Sequence, residues 1–214
     1  LMRSSAASDV YKRQYLDTAK FYPDKTPYDK VAHYAVFGGS PFVNQALRPT
    51  ATLRENIVST ILNPVSAVYL YASQLLLSDY SVKINAERIF AVIGNGKKRY
   101  SEIEDKLDVK KTGNLAKQMK PLRDLEIISR NYPINKLNDS KKSTFEINDN
   151  LLRFYFTFIY KNASALQVLG AEAFYDEYVA PTLTDFISRR FEGICRDYFS
   201  LQVRSGKLKG VRNI

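Results

Sequence analysis

Apolar residues recur every three to four positions in three successive stretches in the middle of the chain. Ala86–Ile93 and Tyr100–Leu107 are short amphipathic segments, and Thr112–Ile127 carries Leu115, Met119, Leu122 and Leu125 at helical spacing. Lys117, Lys120 and Arg123 lie off that apolar line, so the third helix is expected to turn a basic face to water or to a polyanion. Pro121 sits inside it, where it removes a backbone hydrogen bond and predicts a kink. Ile127–Tyr132 then reads as a strand, Lys136–Ser143 as a charged tip, and Ser143–Ile147 alternates as the returning strand.

The flanks of this block are helical. Tyr28–Phe37 is a predicted helix closed by Gly38-Gly39-Ser40-Pro41, and Phe42–Leu47 is a short one stopped near Pro49. Thr52 and Glu55 have capping-box spacing at the head of a helix running to about Leu62, and Val65–Leu77 forms a further apolar helix. After the hairpin, Asp149 or Asn150 can cap an aromatic helix Leu151–Tyr160. Ala171–Tyr178 and Thr182–Phe199 follow, separated at Pro181. The expected fold is mainly α. A helical block at 15–80 precedes a three-helix-plus-hairpin block at 81–149, whose element order is that of a winged helix, and a helical segment follows at 150–214. The first fourteen residues have no usable periodicity and resemble translated adapter sequence, so a non-native tail is expected there.

Composition narrows the class. The 214 residues include one cysteine, Cys195, which excludes an intrachain disulfide and suits a reduced, cytoplasmic setting. The most apolar run, Leu151–Tyr160, is too short to span a bilayer and contains Arg153, so no membrane partner is expected. The formal net charge is +10, and Lys97 to Lys142 holds thirteen Lys or Arg against seven Asp or Glu, a net of +6. More than half of the excess therefore lies in the middle block, where it can attract nucleic acid phosphates without reading sequence. A well-solvated basic surface is the alternative meaning of the same charge. His33 is the sole histidine, so a metal cluster of several histidines cannot be built; it is expected as a half-buried structural residue. Cys195, with Phe191, Ile194 and Phe199, is expected to be a core thiol, and the aromatics at 154–160 to be core and interface.

Several segments together resemble the C-terminal half of archaeal-type AAA/STAND-like P-loop ATPases, which carry a helical lid, a winged helix and a C-terminal domain of unknown function related to PD-(D/E)xK nucleases. Lys20-Phe21-Tyr22-Pro23-Asp24 followed by Tyr34-Ala35-Val36-Phe37-Gly38-Gly39-Ser40-Pro41 looks like the lid signature. Arg54-Glu55-Asn56-Ile57 and Ile61-Leu62-Asn63-Pro64 look like the next lid helix. Phe145 to Phe156 resembles the junction into the C-terminal domain, and Phe191-Glu192-Gly193-Ile194-Cys195-Arg196-Asp197-Tyr198 its first helix. The resemblance covers nearly everything after residue 15. It implies that Pro41 packs on the adenine of a bound ATP and that Gly38 and Gly39 allow its close approach. Read from the residues alone, the same glycines need only end a helix tightly.

The resemblance also implies a parent protein that binds ATP with Mg²⁺ through a P-loop domain outside this chain. No G-x-x-x-x-G-K-[ST] is present, and Gly94-Asn95-Gly96-Lys97-Lys98 lacks the hydroxyl residue and spacing of a phosphate loop, so it is expected to be a turn. The nuclease-like chemistry would need metal-binding carboxylates on strands beyond Ile214, with Glu192 at most an accessory acid. The chain by itself is therefore expected to be a piece of a longer protein, without a complete catalytic site. Two roles stay open for the middle block. It could dock DNA through Lys110, Lys111, Lys117, Lys120 and Arg123 of the third helix and Lys136, Lys141 and Lys142 of the hairpin, with Gln118 and Asn114 as candidates for base edges. It could instead be a structural joint between lid and effector. A stand-alone winged-helix transcription regulator ranks behind both. Composition does not fix the oligomeric state.

Overall fold

The apolar positions sort into two cores that meet along one helix. The computed structural model describes residues 15–78, 86–94, 96, 98–108, 114–133 and 139–208; the side chains of 75–78 and 114 fall outside that description. The predicted non-native tail at 1–14 therefore lies outside the described residues.

The chain opens with α1 (Tyr15–Thr18) and a 3₁₀ turn. In α2 (Pro27–Phe37), Thr26 Oγ1 accepts from the Asp29 N–H at 3.1 Å, and Pro27 fills the first turn, where no N–H is needed. α3 (Pro41–Ala46) also begins with a proline. At α4 (Leu53–Ser59) the predicted capping box is formed: Glu55 N–H donates to Thr52 Oγ1 at 3.2 Å, and Thr52 N–H donates to Glu55 Oε2 at 2.7 Å. α4 stops at Ser59, short of the expected Leu62, and α5 (Ala67–Ser78) follows.

The middle block contains α6 (Ala86–Ile93), α7 (Tyr100–Leu107) and α8 (Asn114–Asp124). α6 and α7 have the predicted bounds. α8 ends before the predicted Ile127 because Glu126 adopts φ 55, closing the helix with Glu126 N–H to Arg123 O and Ile127 N–H to Leu122 O, both 2.9 Å. Leu125, expected on the buried line, consequently faces water at 44% exposure. Three antiparallel strands, β1 (Lys98–Arg99), β2 (Ile128–Asn131) and β3 (Thr144–Ile147), pair in the order β1-β3-β2. Ile128 opposes Ile147, Arg130 opposes Phe145, and Lys98 opposes Phe145 from the other side. Two strands are anticipated by the alternation. β1 is not, because Lys-Arg has no strand signature and becomes one only through its partner.

α9 (Asn150–Phe154) continues through an i→i+5 turn at Tyr155–Ile159 and a 3₁₀ turn at Tyr160–Asn162 into α10 (Ala163–Phe174). The predicted single helix Leu151–Tyr160 is thus only partly α. The start of α10 was not expected, and Gly170, with φ 75, interrupts it. A second i→i+5 turn at Tyr175–Val179 leads directly into α11 (Ala180–Arg204). Pro181 does not separate two helices as expected. It lies in the first turn of α11, where its missing N–H costs no hydrogen bond.

The described residues are mainly helical, with one small antiparallel sheet among them. The first core joins Phe37, Val43, Ile57, Ile61 and Leu62 from the early helices to Phe154, Phe158, Phe174, Val179 and Phe186 from the late ones. The second holds Ile89, Phe90, Ile103, Leu115, Met119, Leu122, Phe145 and Ile147. Leu151, Phe154 and Phe158 face the first core, while Leu152 and Phe156 face the second. Apolar residues all round this segment therefore mean burial on both sides, in line with the core-and-interface expectation.

Candidate basic interface and the junction behind it

Leu115, Met119 and Leu122 anchor α8 in the second core, which leaves Lys117, Lys120 and Arg123 exposed on the outer face and Gln118 half-buried. Lys120 pairs with Asp124 at 2.6 Å one turn on, an exposed contact that water screens. Lys141 and Lys142 are exposed beside β3. Lys110, Lys111 and Lys136 lie outside the described residues, as does the side chain of Asn114. Sequence reasoning missed Arg130. Its Nε donates to Ser143 Oγ at 2.8 Å and a terminal nitrogen to Ser140 O at 3.1 Å, while its guanidinium lies 5.0 Å from the Tyr132 ring centroid and 5.6 Å from that of Phe145. That set of contacts braces the hairpin beside the exposed lysines.

The Gly38 turn is elsewhere, at the end of α2. Gly38 has φ 70 and ψ −163, a conformation open essentially to glycine alone. Its N–H donates to Tyr34 O at 2.9 Å, and its carbonyl accepts from Asn44 Nδ2 at 3.0 Å. Both of its backbone polar groups are thus spent inside the turn. Gly39 and Pro41 are half-exposed beside it. His33 is fully buried rather than half-buried: Nδ1–H donates to Asp29 O at 2.8 Å and Nε2 accepts from Asn56 Nδ2 at 3.3 Å. Burial holds its pKa below the usual value, so the ring is the neutral Nδ1–H tautomer.

The two regions are linked by Asn148-Asp149-Asn150. Asn148 N–H donates to Ile127 O at 2.9 Å and its Nδ2 to Glu126 O at 2.5 Å, both at the end of α8. Asp149 Oδ1 caps α9 by accepting from Leu152 N–H at 2.9 Å. Asn150 Nδ2 donates to Tyr34 O at 2.7 Å, the same carbonyl that receives the Gly38 N–H. From α11, Arg190 donates to Asn148 O at 3.5 Å, the outer limit for such a bond. Asn150 Oδ1 and Arg190 Nε are buried there without a hydrogen-bond partner among the described residues, and such a group costs about 1–3 kcal/mol when left unmet.

One turn further on, Arg153 forms an ion pair with Glu146 at 2.9 Å, the two side chains being 11% and 13% exposed. Arg153 also donates from Nε to Ile147 O at 3.1 Å, and Glu146 accepts from Asn131 Nδ2 at 2.5 Å. Burial and the neighbouring Arg190 push the Arg153 pKa down to about 10, which leaves it cationic at neutral pH. Nothing in the sequence marks Arg153 except its place in an apolar run.

A cavity of about 580 Å³ opens between the sheet and α11. Lys98, Glu146 and Arg153 line one wall and Asp185, Arg189 and Glu192 the other, so its lining mixes cations and carboxylates. Gly94 lines it for a packing reason: a Cβ there would come within 2.7 Å of Phe156 Cβ. Cys195 is half-buried, while Phe191 and Phe199 face outward at 50% and 48% exposure, so the expected thiol core around them is not formed. α11 carries its apolar burial on Leu183, Phe186, Ile187 and Ile194 instead. No described helix is long and apolar enough to cross a membrane.

Residues 155–213 match the DUF234 family, described as archaeal and bacterial proteins of unknown function. An uncharacterized protein of Methanocaldococcus jannaschii is 27% identical over 125 residues, which is 58% of this chain and 27% of that protein. The chain thus spans about a quarter of the length of the curated relative it matches. No solved structure matches it.

Proposed function

We propose that residues 86–149 are a winged helix that docks DNA, and that they act within a larger ATP-binding protein of the AAA/STAND kind, whose lid is the helical block at 15–78. In this reading α8 is the recognition helix, and the paired strands β2 and β3 belong to the wing. The observation that carries the proposal is the exposure of Lys117, Lys120 and Arg123 on one face of α8, opposite the buried Leu115, Met119 and Leu122. Lys141 and Lys142 supply further cations from the hairpin. Contacts of this type bind phosphate and give affinity rather than sequence preference.

ATP, with Mg²⁺, would be held by a P-loop domain of the parent, and Gly39 and Pro41 would contribute only surface against the base. The terminal 155–213 segment would begin a nuclease-like effector domain. A cytoplasmic location and the absence of catalysis by this chain alone belong to the same proposal.

A fluorescence-anisotropy titration with duplex DNA at low and moderate salt tests the docking. Binding should weaken with salt, with a slope in log K against log salt of about −0.9 per phosphate neutralised. Absence of binding at low salt, or binding indifferent to salt, would reject DNA docking. It would leave the reading in which this block is a structural joint, which the bonds of Asn148 to Glu126 O and of Asn150 to Tyr34 O favour.

A further inference from the structure

We propose that Asn148-Asp149-Asn150 is a two-state joint that passes displacement of the Gly38 turn to the end of α8 and the start of β2. The proposal does not depend on what the basic face or the Gly38 turn binds. Three consecutive residues hold three elements that are otherwise distant in sequence. Asn150 is bonded to the carbonyl that anchors Gly38, Asn148 to the last carbonyls before β2, and Arg190 reaches the same turn from α11. Tyr34 O receives both the Gly38 N–H and Asn150 Nδ2, so a shift of the turn displaces Asn150 directly. The Gly38 Cα also lies against Asn150: a Cβ on Gly38 would sit 3.5 Å from Asn150 Cβ.

The orphaned atoms show why the joint has two arrangements. A fully satisfied buried network has one best geometry. Here an acceptor, Asn150 Oδ1, and a donor, Arg190 Nε, are both buried and have no partner among the described residues. In the second arrangement Asn150 releases Tyr34 O and Oδ1 accepts from Arg190 Nε. The exchange trades one hydrogen bond for another, and whatever displaces the Gly38 turn shifts the balance between the two arrangements.

Native-state hydrogen exchange of the chain, read by mass spectrometry, tests this. Gly38→Ala should raise exchange at 126–131 by about threefold or more, although Gly38 touches none of those residues. Asn150→Ala alone should raise exchange both at 34–38 and at 126–131. In the Asn150→Ala background, Gly38→Ala should add nothing at 126–131. A rise confined to 34–41, or one that persists undiminished without the Asn150 side chain, overturns the joint. Should either variant raise exchange uniformly through both cores, Arg190→Lys decides instead. It keeps the charge near Asn148 O but removes the Nε donor, so exchange at 34–38 and at 126–131 should fall together. No change, or changes in opposite directions, sinks the proposal.

Discussion

Glu126 holds a backbone angle, φ 55, that favours glycine, and its carbonyl is one of the two that fasten Asn148. A non-glycine residue in this region costs roughly 1–2 kcal/mol. Glu126→Gly should therefore raise the unfolding free energy, by about 0.5–1 kcal/mol once the added freedom of the unfolded chain is subtracted, as a urea titration would record. His33 makes a second prediction at this scale. Its folded pKa lies below the ordinary 6.5, so between those values the unfolded chain binds a proton that the folded chain does not. Its contribution to stability is whole above about pH 6.5 and is lost as pH falls through that value toward the folded pKa. The urea midpoint should fall from pH 7.5 to 5.5, and His33→Gln should flatten the slope, since no other histidine is present. The sequence shows that His33 is alone. Its depth could not be read there, because the residue that meets its Nε2, Asn56, is 23 positions away.

The helix from Asn150 to Ile159 is the element on which both cores depend. Its two apolar faces place Arg153 in the interior, where the Glu146 carboxylate and the Ile147 carbonyl take up its charge. Removing one partner of a buried pair leaves an uncompensated charge, at about 3–5 kcal/mol. Arg153→Met should lower stability by about 3 kcal/mol, toward the low end because Asn131 still donates to Glu146. Adding Glu146→Gln should restore much of the loss, and the two urea midpoints together check the pair. The aromatic spacing at 154–158 made this element legible in outline. Its change to i→i+5 bonding at Tyr155–Ile159 was not, since that depends on fitting two cores at once.

Across the whole molecule the net charge of +10 matters through where it faces. Lys117 and Lys120 point outward, so reversing both to Glu should leave the melting temperature nearly unchanged, surface substitutions costing within about 0.5 kcal/mol. The same variant should abolish measurable duplex binding if α8 docks DNA. A large fall in melting temperature with no change in binding would instead identify α8 as part of a structural joint. The first core adds a further fact at this scale. Helices from 27–78 and from 150–187 share one core that the middle block interrupts only in sequence, so any partner that moves one set bears on the other. No periodicity predicts that closure, because it joins segments over a hundred residues apart.

Periodicity and capping residues, both local properties, determined the mainly helical composition of the chain, the bounds of α6 and α7, the Thr52–Glu55 cap and the basic face of α8. The tertiary structure alone decided what long-range neighbours dictate. Lys98–Arg99 is a strand because Thr144 and Phe145 are beside it, Arg153 is buried because two cores close over it, and the Asn150 amide is engaged because Tyr34 O, 116 positions away, is brought to it. Local pattern specifies which surface a segment must hide, and only the completed packing specifies which polar groups are enclosed with it.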